Sequence, residues 1–156
     1  MIRIDVAKEH HITDLGNLWM EFMRFSQDIE PIHEPQDDSI PIYINEHLRP
    51  AMETGNSLVL VALDGEQVVG YSYSFIVEPS DLVKREKYGI IHDMFITAQY
   101  RRKGIAKTMF SEITKWFHSN NINRVELDVI TQNHMASSFW EKLGFIDLNR
   151  TLYRQL

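Results

Sequence analysis

The residues whose types and spacing point most directly to chemistry lie in a basic turn built around Gly104. The run before it, 88–96, is rich in β-branched and aromatic residues and predicts a strand, whereas apolar residues recur at helical spacing over 105–117. Gly104 therefore lies in the first turn of a predicted helix, where backbone N–H groups lack partners and the helix dipole is positive. This pattern predicts a site for a phosphate-like anion. Four positive side chains surround it: Arg101, Arg102, Lys103 and Lys107.

The form of this turn excludes two common phosphate loops. The chain contains neither Gly-x-x-x-x-Gly-Lys-Ser/Thr nor Gly-x-Gly-x-x-Gly. What remains, Arg101-x-x-Gly104-x-Ala106 after a strand, resembles the pyrophosphate-binding turn of the GNAT superfamily of acyl-CoA-dependent N-acyltransferases. A plain structural alternative is that Gly104 packs closely beside a solvated basic helix start. The resemblance implies acetyl-CoA as cosubstrate and assigns its binding to Arg101, Arg102, Lys103, Gly104, Ile105, Ala106 and Lys107.

A second motif, 133–145, strengthens the resemblance. It contains an Asn, small residues, an aromatic pair and a Gly-Phe ending, at the distance downstream that the family's next signature occupies. Its apolar residues share one face of a short helix, and Gly144 suits a left-handed cap. The resemblance implies that Asn133 helps to hold the pantetheine arm of CoA and that Trp140 lies beside the CoA sulfur, although most of these residues also suit a core.

The order of predicted elements extends the resemblance over most of the chain. Strand-like runs, helical stripes and a hairpin signal at Asp64-Gly65 follow one another as β-α-α-β-β-β-α-β-α-β-β, with the final pair of strands between Phe145 and about Gln155. The resemblance implies a GNAT fold of the α/β (α+β) class. We therefore expect a mixed, twisted central sheet of about seven strands, flanked by four helices and splayed between the fourth and fifth strands.

Composition predicts one domain and disfavours several classes of partner. The chain has 156 residues, 44% of them hydrophobic, with no linker or repeat, so a single N-acetyltransferase domain is expected over 1–156. Sixteen basic and 22 acidic residues give a net charge of −6, which argues against a general nucleic-acid binder. No apolar run is long enough to cross a membrane, cysteine is absent and the histidines lack metal-ligand spacing. A cytoplasmic protein without a metal or membrane partner is expected, and a homodimer is left open.

The strand before the basic turn carries the candidate catalytic groups. In GNAT proteins the pantetheine arm enters a gap beside this strand, which assigns cofactor contacts to Met94, Phe95 and Ile96. His92 and Asp93 come directly before them and are candidates for the base that removes a proton from an alkylamine of pKa ~10.4 before it attacks. Strand alternation places their side chains on opposite faces, so at most one faces the substrate. Alternatively, Asp93 is a structural acceptor and His92 a core residue.

One position departs from the family pattern. Many GNAT members have a Tyr that protonates the departing thiolate where this chain has Trp140. An indole N–H donates a hydrogen bond but has no useful acidity, so the acid role cannot be carried over. Glu126 and Asp128 on the next predicted strand, 124–130, are reserve candidates for the base.

The molecule that accepts the acetyl group is less well defined by the sequence than the molecule that donates it. In this fold the first two helices and the loop after the third strand usually form the substrate pocket, here 20–44 and 78–87. The first region combines carboxylates with aromatic rings, which suits a cation with an apolar body. The expected function is transfer of an acetyl group from acetyl-CoA to a primary amine of a small cationic molecule or peptide by direct attack. The alternatives are an acyl-CoA-binding regulatory module without turnover and a plain phosphate-ligand-binding protein.

Overall fold

The computed structural model describes residues 1–156 and contains one five-stranded sheet. Its strands lie side by side in chain order, and all neighbours are antiparallel except the last pair, which is parallel. The strands are β1 (Ile2–Val6), β2 (Ser57–Asp64), β3 (Gln67–Val77), β4 (Tyr88–Ile96) and β5 (Val125–Glu126).

Helices cover both faces of the sheet. The α-helices are α1 (Ile12–Ile29), α2 (Ser39–Tyr43), α3 (Arg49–Glu53), α4 (Ile105–Ser119) and α5 (His134–Lys142). A π-helical turn, Ile44–Leu48, joins α2 to α3, so 39–53 is one continuous helical segment and four such segments flank the sheet. Short 3-10 turns occupy Glu9–His11, Pro31–His33 and Ala98–Tyr100. None of the helices combines the length and the apolar character needed to cross a bilayer.

Two hydrophobic cores lie on opposite faces of the sheet. On one face α1 buries Leu15 and Leu18, which recur at helical spacing, together with Leu48 of the 39–53 segment. On the other face α4 buries Met109 and Ile113 in the same way against β2 and β3. The sheet is therefore held from both sides, which fixes the position of β4 between the two cores.

The expectation of about seven strands is wrong. The final pair of strands predicted between Phe145 and Gln155 is absent, and the fifth strand, predicted over 124–130, is limited to Val125–Glu126. A strand exists only where a neighbouring backbone completes its hydrogen-bond ladder, whatever its own residue preferences. Within this chain the residues after Glu126 and after Phe145 have no such neighbour.

A β-bulge in β4 changes the direction of its central side chains. Tyr73 pairs with Asp93 and Ser74 pairs with Ile91, so His92 is the extra residue without a partner on β3. Such bulges bend a strand and redirect one side chain, often beside an active site. The expectation that His92 and Asp93 lie on opposite faces is wrong here, because the bulge brings the two side chains within hydrogen-bond distance.

Candidate active site

A cleft of about 420 Å³ opens where β4 and the chain after β5 separate. Their pairing stops at Ile90 and Glu126, so the rest of β4 forms one wall and 127–130 forms the other. The cleft is lined mainly by apolar side chains, including Phe22 and Phe25 of α1. An elongated apolar channel with polar groups at its ends suits a flexible, mostly apolar ligand arm with a charged terminus.

At one end of the cleft the backbone of 102–107 offers free hydrogen-bond donors. None of these six consecutive N–H groups has an acceptor within the protein. Arg102 and Gly104 have positive φ values, 60° and 80°, and a Cβ added to Gly104 would meet no atom within 4 Å. The turn therefore needs glycine for its left-handed backbone and leaves open space above it. Free donors at the start of α4 make this end suitable for a diphosphate.

The basic side chains of the turn have different roles. The Nε of Arg101 donates to the backbone oxygen of Ile96 at 2.8 Å, and its guanidinium lies over the Phe25 ring at 4.6 Å. Burial lowers the pKa of Arg101, as expected for a cation held against aromatic rings. Arg102 and Lys107 are exposed and line the cleft, whereas the Lys103 ammonium lies over the Tyr100 ring. Arg102 and Lys107 are thus the exposed cations that line the cleft beside the free N–H groups.

The first turn and the buried face of α5 form the next part of the cleft. Asn133 caps this helix, and its Oδ1 accepts a hydrogen bond from the Ala136 N–H at 3.1 Å. The Asn133 side-chain amide remains available, because no protein acceptor holds it. Trp140 is 9% exposed and packs edge-on against three phenylalanine rings while lining the cleft. Both residues serve the fold and border the cleft at once.

Behind the opposite end of the cleft lies a buried carboxylate with three hydrogen-bond partners. Asp93 is 5% exposed, and its Oδ2 accepts from the hydroxyl of Tyr43 at 2.6 Å and from that of Tyr71 at 3.3 Å. The Nδ1 of His92 lies 3.2 Å from Oδ1 of the same carboxylate. These donors satisfy a carboxylate that would otherwise be costly to bury.

His92 is the member of this group that faces the cleft. Its side chain is 51% exposed, against 6% for that of Asp93, and its ring lies 5.5 Å from Tyr73 and 5.9 Å from Phe75. The hydrogen bond to Asp93 raises the pKa of His92, burial opposes this, and the charges of Asp93 and Asp128 add to the rise. With Nδ1 donating to Asp93, Nε2 remains free as an acceptor.

The tyrosines around Asp93 are held in neutral form. Burial and the neighbouring Asp93 charge raise the pKa of both Tyr43 and Tyr71 well above the ordinary tyrosine value. Tyr43 also stacks on Trp19, with ring centroids 4.4 Å apart, immediately before the π-helical turn. The 39–53 segment is thereby tied directly to the carboxylate behind His92.

The structure brings most of the predicted site residues to one cleft. All of them line it except Asp93, which lies behind His92, and Lys103, which turns toward Tyr100. Sequence reasoning missed Tyr71 as a partner of Asp93, because its spacing resembles that of any buried strand residue. It also missed the closeness of His92 and Asp93, since nothing in the local sequence indicates the bulge.

Comparison with known families decides the classification. Residues 13–145 match the model of the Acetyltransferase (GNAT) family. This chain belongs to the GNAT acetyltransferase family. The cleft and the turn at 101–107 are therefore features of a GNAT acetyltransferase domain, and members of this family use acetyl-CoA.

Two curated relatives are N-acetyltransferases that differ in their acceptors. The chain is 36% identical over 77 residues to L-ornithine N5-acetyltransferase NATA1 of Arabidopsis thaliana, which covers 49% of this chain and 33% of that protein. It is 25% identical over 111 residues to thialysine N-epsilon-acetyltransferase of Caenorhabditis elegans, and the match covers 68% of this chain and 64% of that protein. The chain thus spans between a third and two thirds of the length of these relatives.

Solved structures share the fold at low sequence identity. A tetramutant of the BH1408 protein from Bacillus halodurans aligns with a TM-score of 0.86 at 21% identity, over 99% of both chains. The aminoglycoside acetyltransferase AAC(6')-Iy, solved with a bisubstrate analogue of CoA and acetylneamine, aligns with a TM-score of 0.74 at 14% identity, over 100% of this chain and 98% of that one. These likenesses establish the GNAT-like fold of the present chain.

Proposed function

We propose that this protein transfers an acetyl group from acetyl-CoA to a primary amine of a small cationic molecule or peptide by direct attack. The main support for this proposal is a single cleft with unpaired backbone N–H groups of 102–107 at one end and the His92–Asp93 pair at the other. One cleft of this kind can hold a diphosphate and present a base to a reacting amine at the same time.

The end of the cleft at 102–107, which we call the donor end because it would bind the acetyl donor, fits CoA in both charge and shape. Six free N–H groups, the exposed cations Arg102 and Lys107, and open space above Gly104 suit a diphosphate. The walls formed by 94–96 and 127–130 are unpaired with each other, so their backbone groups are available to the amides of a pantetheine arm. We assign to Asn133 a hydrogen bond to the pantetheine arm through its free side-chain amide. We assign to Trp140 an apolar wall beside the CoA sulfur.

The other end of the cleft, at His92 and Asp93, is called the reacting end. It is suited to removing a proton from an ammonium group. His92 lines the cleft, and Asp93 fixes its ring through Nδ1 and leaves Nε2 free to accept a proton, so Asp93 acts as a positioning residue. Acetyl-CoA, when bound, supplies a thioester whose C–S bond breaks as the amine forms the new C–N bond. The ammonium gives one proton to His92 before it attacks, and a second N–H proton is lost as the amide forms. The CoA sulfur leaves as a thiolate and takes up this second proton through solvent. Asp128 on the opposite wall favours the protonated form of His92.

The acceptor class is supported by both the charges around the cleft and the relatives. Asp128 and His92 both line the cleft, and the rings of Tyr73 and Phe75 pack around the His92 ring. This combination of a carboxylate and aromatic rings suits an alkylammonium ion. Two relatives are named for ornithine and thialysine, and both of these compounds have a primary amine at the end of a chain. We therefore place ω-amino acids and other small alkylamines ahead of larger amines.

The deciding experiment is turnover of acetyl-CoA across a panel of amines, followed by release of free thiol. The panel holds ornithine, lysine, thialysine, a polyamine, an aminoglycoside and a peptide. Thiol release that depends on an alkylamine and is lost in His92→Ala is the expected result. Failure of every amine, with acetyl-CoA still binding, would contradict turnover.

One observation favours a second candidate, an acyl-CoA-binding module without turnover. Trp140 occupies the position where many family members have a Tyr that protonates the leaving group, and its indole N–H has no useful acidity. Binding of acetyl-CoA without thiol release for any amine is the result expected of such a module. The same assay therefore separates the two candidates.

A further inference from the structure

Gly16 lies inside α1, at a place where glycine weakens the helix. Glycine is among the poorest helix formers, so a glycine at such a position needs a reason in the packing around it. Gly16 is buried, and a Cβ built on it would lie 2.8 Å from Ile44 Cδ1 and 2.9 Å from Ile40 Cγ2. Contacts this short force the neighbouring atoms to shift. The missing side chain therefore lets the 39–53 segment lie closer to α1 than a larger residue would allow.

This close approach brings one aromatic residue of the segment to the reacting end. The helical turn that contacts Gly16, 40–44, contains Tyr43. Trp19 lies three residues after Gly16, on the same face of α1, and stacks on the Tyr43 ring with centroids 4.4 Å apart. The Tyr43 hydroxyl in turn donates to Asp93 at 2.6 Å. One face of α1 thus holds Tyr43 against the buried carboxylate.

The π-helical turn sets the direction of Tyr43 within its segment. Its wider hydrogen bonding is seen where the Arg49 N–H donates to the Ile44 oxygen, five residues back. Residues three or four apart share a face of an α-helix, whereas a π-turn brings residues five apart toward one face. Tyr43 and Leu48 are five apart, and both are buried, at 4% and 0% exposure. Beyond the turn, Arg49 donates to Glu9 at 2.8 Å and fixes the other end of the segment.

We propose that Gly16 is a positioning residue, which acts through Tyr43 and Asp93 on the orientation of His92. The inference rests on the proposed function, in which His92 is the base. Gly16 does not line the cleft, but its missing side chain sets the distance between α1 and the 39–53 segment. That distance decides whether the Tyr43 hydroxyl contacts Asp93 Oδ2, while Oδ1 of the same carboxylate lies 3.2 Å from His92 Nδ1.

The groups around His92 give the direction of the change expected when Tyr43 moves. A donor to a carboxylate spreads its negative charge, so loss of the Tyr43 donor leaves Asp93 a stronger partner for protonated His92. The pKa of His92 should therefore rise. The titratable groups that surround the ring or its partner carboxylate are Asp93, Asp128, Tyr43, Tyr71 and Tyr73.

The test is a double-mutant cycle, read out by nuclear magnetic resonance titration of the His92 ring and by steady-state kinetics. The cycle contains the unmodified chain, Gly16→Ala, Tyr43→Phe and the double variant. We expect each single variant to raise the pKa of His92 slightly and to lower kcat about fivefold through lost orientation, with unchanged affinity for acetyl-CoA. In the Tyr43→Phe background, Gly16→Ala should change neither quantity further, because the donor that it displaces is already gone.

The matched control is Asn17→Ala, which introduces the same side chain at the neighbouring, exposed position of α1. It should leave the His92 titration and kcat unchanged. If Gly16→Ala behaves like this control, or if its effects add to those of Tyr43→Phe, the proposal is overturned. Ile44→Ala shortens the side chain that faces Gly16 and tests the same contact if Gly16→Ala does not fold. An unchanged His92 titration in Ile44→Ala then overturns the proposal.

The two readouts separate this inference from the proposed function. The titration of His92 needs no amine, so it decides the role of Gly16 even if no amine is acetylated. Failure of every amine contradicts the proposed function alone, whereas an unaltered titration in Gly16→Ala contradicts the positioning role alone.

Discussion

The two ends of the cleft are built in different ways. The donor end uses backbone N–H groups of six consecutive residues, 102–107, held by the left-handed backbone at Gly104. The reacting end uses side chains that lie far apart in the sequence, with Tyr43 and Asp93 separated by 50 positions and joined at 2.6 Å. The donor end should therefore respond to changes of the backbone, and the reacting end to changes of single side-chain atoms. Each prediction below challenges one side of this contrast.

The largest effect is expected at Gly104. The substitution Gly104→Glu forces a side chain onto a backbone with φ of 80° and places bulk and negative charge at the free N–H groups. We expect the thermal stabilisation by acetyl-CoA to vanish and kcat/KM to fall at least about 1,000-fold, or roughly 4 kcal/mol. Thermal shift and steady-state kinetics measure both.

A matched control separates backbone strain from loss of the site. Gly65 in the β2–β3 turn also has a positive φ, 62°, and open space at its Cβ, but it does not line the cleft. Gly65→Glu should lower the melting temperature of the apo protein and leave the acetyl-CoA shift intact. If Gly104→Glu still responds to acetyl-CoA as the unmodified chain does, the diphosphate binds elsewhere.

The next effect is expected at His92. Removal of a general base typically costs 100- to 10,000-fold, so His92→Ala should lose about that much in kcat/KM and keep its affinity for acetyl-CoA. In the unmodified enzyme kcat/KM should rise as pH passes the raised pKa of His92, above the ordinary value of 6.5, because only the neutral ring accepts a proton. This limb should disappear in the variant. The control is His118→Ala, an exposed residue on α4, and an unaltered pH profile in His92→Ala would assign the limb to another group.

A smaller effect is expected when the partner of His92 is neutralised. Asp93→Asn removes the hydrogen-bonded charge that raises the pKa of His92, so the rising limb should move to lower pH while the plateau falls about 10- to 100-fold from lost orientation. Tyr43→Phe, which keeps the carboxylate but deletes its 2.6 Å donor, should move the limb much less. A limb that stays in place in Asp93→Asn would mean that Asp93 is only a structural acceptor.

The smallest effect is expected at Trp140. A thiol has a reference pKa of ~8.5, so a thiolate leaves readily without an acid, and Trp140→Phe should retain turnover within about tenfold, or roughly 1.4 kcal/mol. Trp140→Ala should lose more, because it opens a cavity among three phenylalanine rings and loosens α5. Kinetics with measured acetyl-CoA affinity test this. Normal binding with turnover reduced several hundredfold in Trp140→Phe would give the indole N–H a chemical role.

Which parts of the cleft could be predicted from the sequence follows the same contrast. The donor turn could be predicted because its features are local: a strand, a glycine and a helix start within 20 residues. The relation between His92 and Asp93 could not, since the bulge depends on pairing between β3 and β4. The seven-strand expectation failed for a related reason. Residues 145–155 have strand-like patterning, but a strand also needs a paired neighbour, and in this structure no backbone ladder forms there.

The sequence by itself determined the GNAT family, the order of most elements and the position of the glycine-containing basic turn, because these rest on short motifs and on periodicity along the chain. Only the tertiary structure decided that the His92 side chain lines the cleft, that Asp93 lies behind it, and that Tyr43 and Tyr71 satisfy the buried Asp93. Those facts depend on contacts between distant segments, and a buried charge reveals its partners only when the chain has folded around it.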